Sequence, residues 1–309
     1  VDIEDTYTIT EVENKTNNLL ELSKPITVKV QKENNEKKYV VKKVTVTCGS
    51  VTKSITRTGA ENYVEITNVE TVKSGITASI KVTLDKEQQK IVVYAYNPPI
   101  TGKYGLNISK VCSGVGVEGV VFKVNGTNLS ATNASGITKC EENKTITSST
   151  LQSDVYTVEE ISIDTNKYIK LAKPVTLTVN KGLDANGKNY IVTGMKLEGT
   201  GKNSTTISKQ GVNSVSLSGV ILENGLNSVS TVTVKATYDG NTIKLEIPNK
   251  EIQGTYSLKI KKVNEKNVPI SNVSFGVTSI INKATDTFTT EPTNAEGITN
   301  VKTVKLTKE

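Results

Sequence analysis

The sequence predicts an all-β chain of tandem β-sandwiches, and three observations predict it. Short segments alternate apolar and polar residues with a period of two, as in Tyr104, Leu106, Ile108 and Lys110 or Ile243, Leu245, Ile247 and Asn249. Val, Ile, Thr and Ser are abundant, and the breaks include the turn pairs Asn186-Gly187 and Asp239-Gly240. The pattern also occurs twice. Asp5-Thr6-Tyr7-Thr8-Ile9-Thr10-Glu11 returns as Asp154-Val155-Tyr156-Thr157-Val158-Glu159-Glu160, and Lys24-Pro25-Ile26-Thr27-Val28 returns as Lys173-Pro174-Val175-Thr176-Leu177, each 149 residues later. Gly102 to Val111 returns as Gly254 to Val263, 152 residues later. A period of this length marks a tandem array of domain-sized units.

Taken in order, the first unit covers residues 1–100. Tyr7, Ile9 and Glu11 share one face of its opening strand, and Ile91, Val93, Ala95 and Asn97 share one face of its closing strand. The second unit, 101–251, opens on Tyr104, Leu106, Ile108 and Lys110, continues through Tyr156, Val158 and Glu160, and closes on Ile243, Leu245, Ile247 and Asn249. Residues about 180–240 hold Tyr190-Ile191-Val192-Thr193, Ser214-Val215-Ser216-Leu217 and Ser230-Thr231-Val232-Thr233-Val234. These read as additional strands, extending the same sandwich or forming an inserted Ig-like subdomain. The segment 252–309 repeats the opening strand as Tyr256, Leu258, Ile260 and Lys262 and belongs to a third unit. The junctions Asn97-Pro98-Pro99-Ile100 and Pro248 to Ile252 are short, which favours stiff stacking over loose beads.

Composition narrows the chemistry. Among 309 residues there is no His and no Trp, with one Met and three Phe. The missing His removes Ser-His-Asp and Cys-His catalysis and most zinc sites, and no metal or cofactor is expected. The net charge of +7 is scattered: the densest basic cluster, Lys37-Lys38 and Lys42-Lys43, has Glu33 and Glu36 beside it. That is a solvated strand face, with no aromatic-basic interleaving for nucleic acid. No segment reaches the apolar length of a membrane span, and no signal peptide is recognised. Of the three cysteines, Cys112 and Cys140 fall in one unit. They pair as a disulfide and leave Cys48 over, or all three are free thiols.

Each apolar face ends in a polar group of fixed type: Lys110, Glu160 and Asn249. Parity aims these three at a core, while Glu159 points the other way. Burying an ammonium and a carboxylate is costly, and desolvation disfavours charged forms. One solution is chemical. A neutral amine attacks the asparagine carboxamide, the acid relays the proton, and ammonia leaves, giving a Lys–Asn isopeptide bond. The other is a buried salt-bridge network without a bond.

These segments resemble SpaA/Cna-B-type pilin and surface-protein domains of Gram-positive bacteria. The likeness is carried by Gly102-Lys103-Tyr104 to Lys110-Val111, by Val117 to Val124, by Val268-Pro269-Ile270-Ser271-Asn272-Val273-Ser274-Phe275, by Tyr156-x-Val158-x-Glu160 as an E-box, and by Ile247-Pro248-Asn249-Lys250 as a closing strand. The resemblance implies prealbumin-like sandwiches and the triad Lys110, Glu160 and Asn249, with Glu160 as general acid and base. Two features depart from the family: a longer interval between E-box and Asn, and Val111-Cys112 in place of an acidic residue after the lysine. No LPxTG-like signal is present.

A second triad is split. Glu11 and Asn97 lie in the first unit and Lys262 lies in the last. From Gly136 to Tyr156 is 20 residues, and from Gly297 through Glu309 to the Tyr7 of a following copy is 19. The tail therefore reads in register into the head, so partial sandwiches at the two ends complement each other head to tail. Glu11 then serves a Lys262–Asn97 bond between consecutive copies, as separate subunits or along one long polypeptide. A truncation with two ragged ends is the alternative.

Together these observations predict an extracellular, cell-surface structural protein: a stiff fibre or pilus-like shaft whose partners are copies of itself. Its only chemistry is self-directed, so it is not otherwise an enzyme. An adhesin stalk that binds host or cell-surface ligands is the alternative. The sparse aromatics argue against a carbohydrate platform.

Overall fold

The computed structural model describes residues 3–12, 18–223, 230–281 and 283–306. Among them the regular structure is β, apart from two 3₁₀ turns. No helix among the described residues is long and apolar enough to cross a membrane.

The first seven strands are β1 (Glu4–Ile9), β2 (Ile26–Asn35), β3 (Lys38–Cys48), β4 (Val51–Thr56), β5 (Tyr63–Glu70), β6 (Thr77–Asp85) and β7 (Lys90–Tyr96). β1 to β4 form one antiparallel sheet in chain order, and β5 to β7 form another. Alternation drives their packing. Ile26, Val28, Val30, Val44 and Val46 from one sheet meet Ile66, Ile80, Val82 and Leu84 from the other in a single buried core. β1 and β7 are both edge strands.

Next come β8 (Gly102–Cys112), β9 (Val115–Gly116), β10 (Val121–Val124), β11 (Thr127–Asn128), β12 (Ile137–Ile146), β13 (Asp154–Ser162), β14 (Tyr168–Ile169), β15 (Val175–Leu183), β16 (Tyr190–Thr200), β17 (Thr206–Gly211), β18 (Ser214–Ile221), β19 (Thr231–Tyr238) and β20 (Thr242–Glu251). All thirteen belong to one hydrogen-bonded network. One arm runs β10-β13-β15-β16 with β17 beyond, and the other runs β12-β8-β20-β19-β18. The arms join through a single parallel pair, Tyr190 with Gly102. At that point Gly102 is required, because a Cβ there would sit 1.7 Å from the Tyr190 carbonyl oxygen. The arms close over one core, consistent with the β-sandwich class. β8 is buried on both faces, with Tyr104, Leu106, Ile108 and Lys110 on one and Gly105 and Ser109 on the other. The strands within 180–240 therefore extend the same network.

The remaining strands are β21 (Gly254–Lys261), β22 (Gly276–Ile281), β23 (Ala284–Thr289) and β24 (Ile298–Leu306). β21 pairs with β24, and β22 with β23. Their apolar residues stay open to solvent: Tyr256 is 48% and Leu258 53% exposed.

Of the two cysteine readings the free-thiol one holds: Cys48, Cys112 and Cys140 are free thiols, and the Cys112–Cys140 disulfide is not formed. Cys140 sits at a bulge of β12, between Lys139 opposite Asn107 and Glu141 opposite Leu106. Cys112 pairs with Val115, about five residues further along β8, or roughly 17 Å of strand rise. A disulfide needs Cα atoms within about 7 Å.

Candidate functional site

Three strands deliver the site. β8 ends its inward face on Lys110, β13 crosses the sandwich with Glu160, and β20 runs parallel beside β8 with Ile247 opposite Lys110 and Asn249 opposite Cys112. The structure brings the three side chains together. Lys110 Nζ lies 3.0 Å from Glu160 Oε1, and both side chains are 0% exposed. The Lys110 amine also donates to Asn249 Oδ1. Asn249 Nδ2 donates to Glu160 Oε1 at 3.1 Å, and the Leu171 backbone N–H donates to Oε2 at 2.8 Å. The Phe122 ring lies 5.9 Å from the amine. Burial pushes the Lys110 ammonium down to about 8, with the Glu160 carboxylate beside it working the other way.

This arrangement has a chemical use. One carboxylate oxygen, Glu160 Oε1, is within hydrogen-bond reach of both the amine and the amide nitrogen. It can take a proton from the first and give it to the second.

Lys110 is fixed by its backbone as well. Its N–H donates to Gly136 O at 2.7 Å, and its carbonyl accepts from Val117 N–H at 2.9 Å. Gly136 has φ +74°, and a Cβ there would meet the Lys110 carbonyl oxygen at 2.2 Å. Gly136→Ala is expected to destabilise by about 2–4 kcal/mol in chemical denaturation. Gly126→Ala, at φ +86° with nothing within 4 Å, should cost only about 1–2 kcal/mol.

The second set of residues is held as two halves. Asn97 Nδ2 donates to Glu11 Oε1 at 2.8 Å and Oε2 at 2.9 Å, and Leu22 N–H donates to Glu11 Oε2 at 2.5 Å. This matches Glu160 with Asn249 and Leu171, without an amine. Asn97 Oδ1 is buried and has no hydrogen-bond partner. Lys262 is exposed and apart from them, yet its backbone is cradled as Lys110's is: its N–H donates to Gly297 O at 2.7 Å, and its carbonyl accepts from Ile270 N–H at 3.0 Å.

Sequence reasoning missed a polar cluster on the same side of β8, toward its start. The Tyr104 hydroxyl donates to Asp154 Oδ2 at 2.5 Å and lies 2.6 Å from the Tyr156 hydroxyl. Lys181 Nζ pairs with Asp154 Oδ2 at 2.8 Å, and Lys144 Nζ with Oδ1 at 3.2 Å. Burial pushes the Tyr156 hydroxyl up to about 12 and that of Tyr104 further. Burial works against the Asp154 carboxylate, but hydrogen bonds from Lys181, Tyr104 and Lys144 hold it below its ordinary range. The signal was in the repeat: Asp5 and Lys32, 149 residues before Asp154 and Lys181, form the same ion pair.

No protein-family model and no curated protein matches the chain. Among solved structures, the chain is similar to the Bacillus anthracis TIE protein, at 14% identity, covering 98% of this chain and 68% of that one with a TM-score of 0.21. A TM-score of that size is below the level of a shared overall arrangement.

Proposed function

We propose that the chain is a structural subunit or repeat of an extracellular cell-surface fibre, built of tandem sandwich units (1–100 without its Lys strand, 101–251, and the opening part of a third, 252–309) and stiffened by self-made Lys–Asn isopeptide bonds. The observation that carries this reading is the sealed contact of Lys110, Glu160 and Asn249. The strand motifs it shares with SpaA/Cna-B-type domains support the cell-surface assignment. In the proposed reaction the Lys110 Nζ lone pair attacks Asn249 Cγ. Glu160 accepts the amine proton and passes it to Nδ2. The Cγ–Nδ2 bond breaks, ammonia leaves, and a secondary amide joins the two side chains. The chemistry acts on the chain itself and on no other substrate.

Intact mass spectrometry of the folded chain tests it. The expected result is a mass lower than the sequence by the ammonia of this bond, with a branched Lys110–Asn249 peptide after digestion. A full-sequence mass with both residues in ordinary linear peptides would refute the bond. The reaction should also depend on pH. Attack needs the neutral amine, and the amine titrates near 8. Chain made unfolded and then refolded should crosslink about tenfold faster per pH unit below about 8, and level off above it.

A further inference from the structure

We propose that the free edge of β7, with the facing side of β1, is an acceptor for the β21 strand of a second copy of this chain, in one defined register. The covalent step of this proposal rests on the Lys110–Asn249 reading; the docking of the strand does not.

The β8–β20 network shows what the acceptor would look like when filled. There β8 lies between β12, antiparallel, and β20, parallel. β21 has β24 in the place of β12 and, among the described residues, no strand on its other side. β7 has β6 on one side, as β20 has β19, and among the described residues none on the other. Two free edges of matching kind therefore exist in one chain. Unpaired edges recruit strands.

The side chains agree. Tyr104 and Leu106 are 1% and 0% exposed, while the equivalent Tyr256 and Leu258 are 48% and 53% exposed. Tyr156 and Val158 are 3% and 0% exposed, while the equivalent Tyr7 and Ile9 are 54% and 39% exposed. Each open apolar face is the complement that the other lacks. The polar groups then fix the register. The buried, unpartnered Asn97 Oδ1 stands where Asn249 Oδ1 receives the Lys110 amine. The Asp5–Lys32 pair beside Tyr7 stands where Asp154, paired with Lys181, accepts from the Tyr104 hydroxyl. Carried over from Leu106 with Ile243, Ile108 with Leu245 and Lys110 with Ile247, the register sets Leu258 beside Ile91, Ile260 beside Val93 and Lys262 beside Ala95. Tyr256 then bonds Asp5 and Tyr7, and the Lys262 amine bonds Asn97 Oδ1.

Within one chain β21 cannot reach β7, for a geometric reason. β8 and β20 are parallel neighbours, so the chain enters their unit at one end and leaves at the other. β8 alone is 11 residues long, about 36 Å. Only Ile252 and Gln253 separate β20 from β21, too few to return to β7. A head-to-tail contact that does not close gives an open filament. Once docked, Lys262 Nζ attacks Asn97 Cγ, Glu11 carries the amine proton to Nδ2, the Cγ–Nδ2 bond breaks, and ammonia leaves.

The test is the size of the purified full chain across a concentration series, by light scattering, together with boiled and reduced denaturing gels and intact mass. The expected result is concentration-dependent oligomers, with a ladder of chain multiples on the gel. Asn97→Ala should abolish the ladder and keep the oligomers. Asp5→Asn with Tyr256→Phe should raise the concentration needed for association by about ten- to a hundredfold, while the Lys110–Asn249 ammonia loss persists. A chain that stays monomeric at every concentration, yet has lost the Lys110–Asn249 ammonia, would overturn the acceptor and leave the first reading standing. A monomer carrying both bonds would overturn the second copy as the strand's source. Oligomers with no ammonia lost at either site would uphold docking and refute the crosslink chemistry.

Discussion

Asn249→Ala is expected to fold, to release no ammonia at the Lys110 site, and to lose about 4–5 kcal/mol of stability. The loss comes from the unfolded state. The proposed bond joins residues 139 apart in sequence, and a covalent closure of that length removes about 4–5 kcal/mol of chain entropy by the loop argument used for disulfides. The substitution leaves the Lys110–Glu160 ion pair and the Leu171 contact in place, so the native state changes little. Equilibrium unfolding in guanidinium, referred to the same chain with its bond formed, measures the difference. A variant as stable as the parent would mean that the native chain carries no bond at this site.

Glu160→Ala is expected to be worse than Asn249→Ala by about 3–5 kcal/mol. Neither variant forms the bond, so the crosslink drops out of the comparison. What remains is the charge left behind: an amine with no exposed surface loses its anionic partner, and the Leu171 N–H loses its acceptor. Adding Lys110→Met to Glu160→Ala should recover most of that extra loss, because an apolar chain of similar length needs no partner. It should not restore the bond. Equal stability of Glu160→Ala and Asn249→Ala would show that water reaches the amine and that the site is not sealed.

How far the sequence revealed this arrangement depends on which interactions have a period. Lys110, Glu160 and Asn249 were legible because each closes a run of same-parity apolar residues, and parity in a strand fixes the face. That β8 is buried on its second face was not legible. Gly105 and Ser109 give no apolar signal there, and the cover comes from how distant strands join the network. For the same reason residues 180–240 could be read as strands but not assigned to one network. The cysteine pairing failed on register: bulges either side of Glu141 set how β12 meets β8, and side-chain pattern does not encode them. The Tyr104–Asp154–Lys181 cluster was legible in principle. Asp5 and Lys32 precede Asp154 and Lys181 at the spacing that separates Tyr7 from Tyr156, and Asp154 shares the parity of Tyr156, but it stands before the first apolar residue of that run, and the apolar residues are what mark the strands.

The parallel pairing of β8 with β20 has a mechanical consequence. A pull on the chain from both sides of this unit enters at the start of β8 and leaves at the end of β20, so the two strands are loaded in shear. With Lys110 bonded to Asn249, tension runs from Gly102 along β8 to Lys110, across the amide, and out through Lys250 and Glu251. The 139-residue span between the bonded side chains lies off that path. Released, it would add roughly 470 Å of extended chain. Bonded, it carries no tension while the covalent path holds, and the unit transmits force as a short inextensible link.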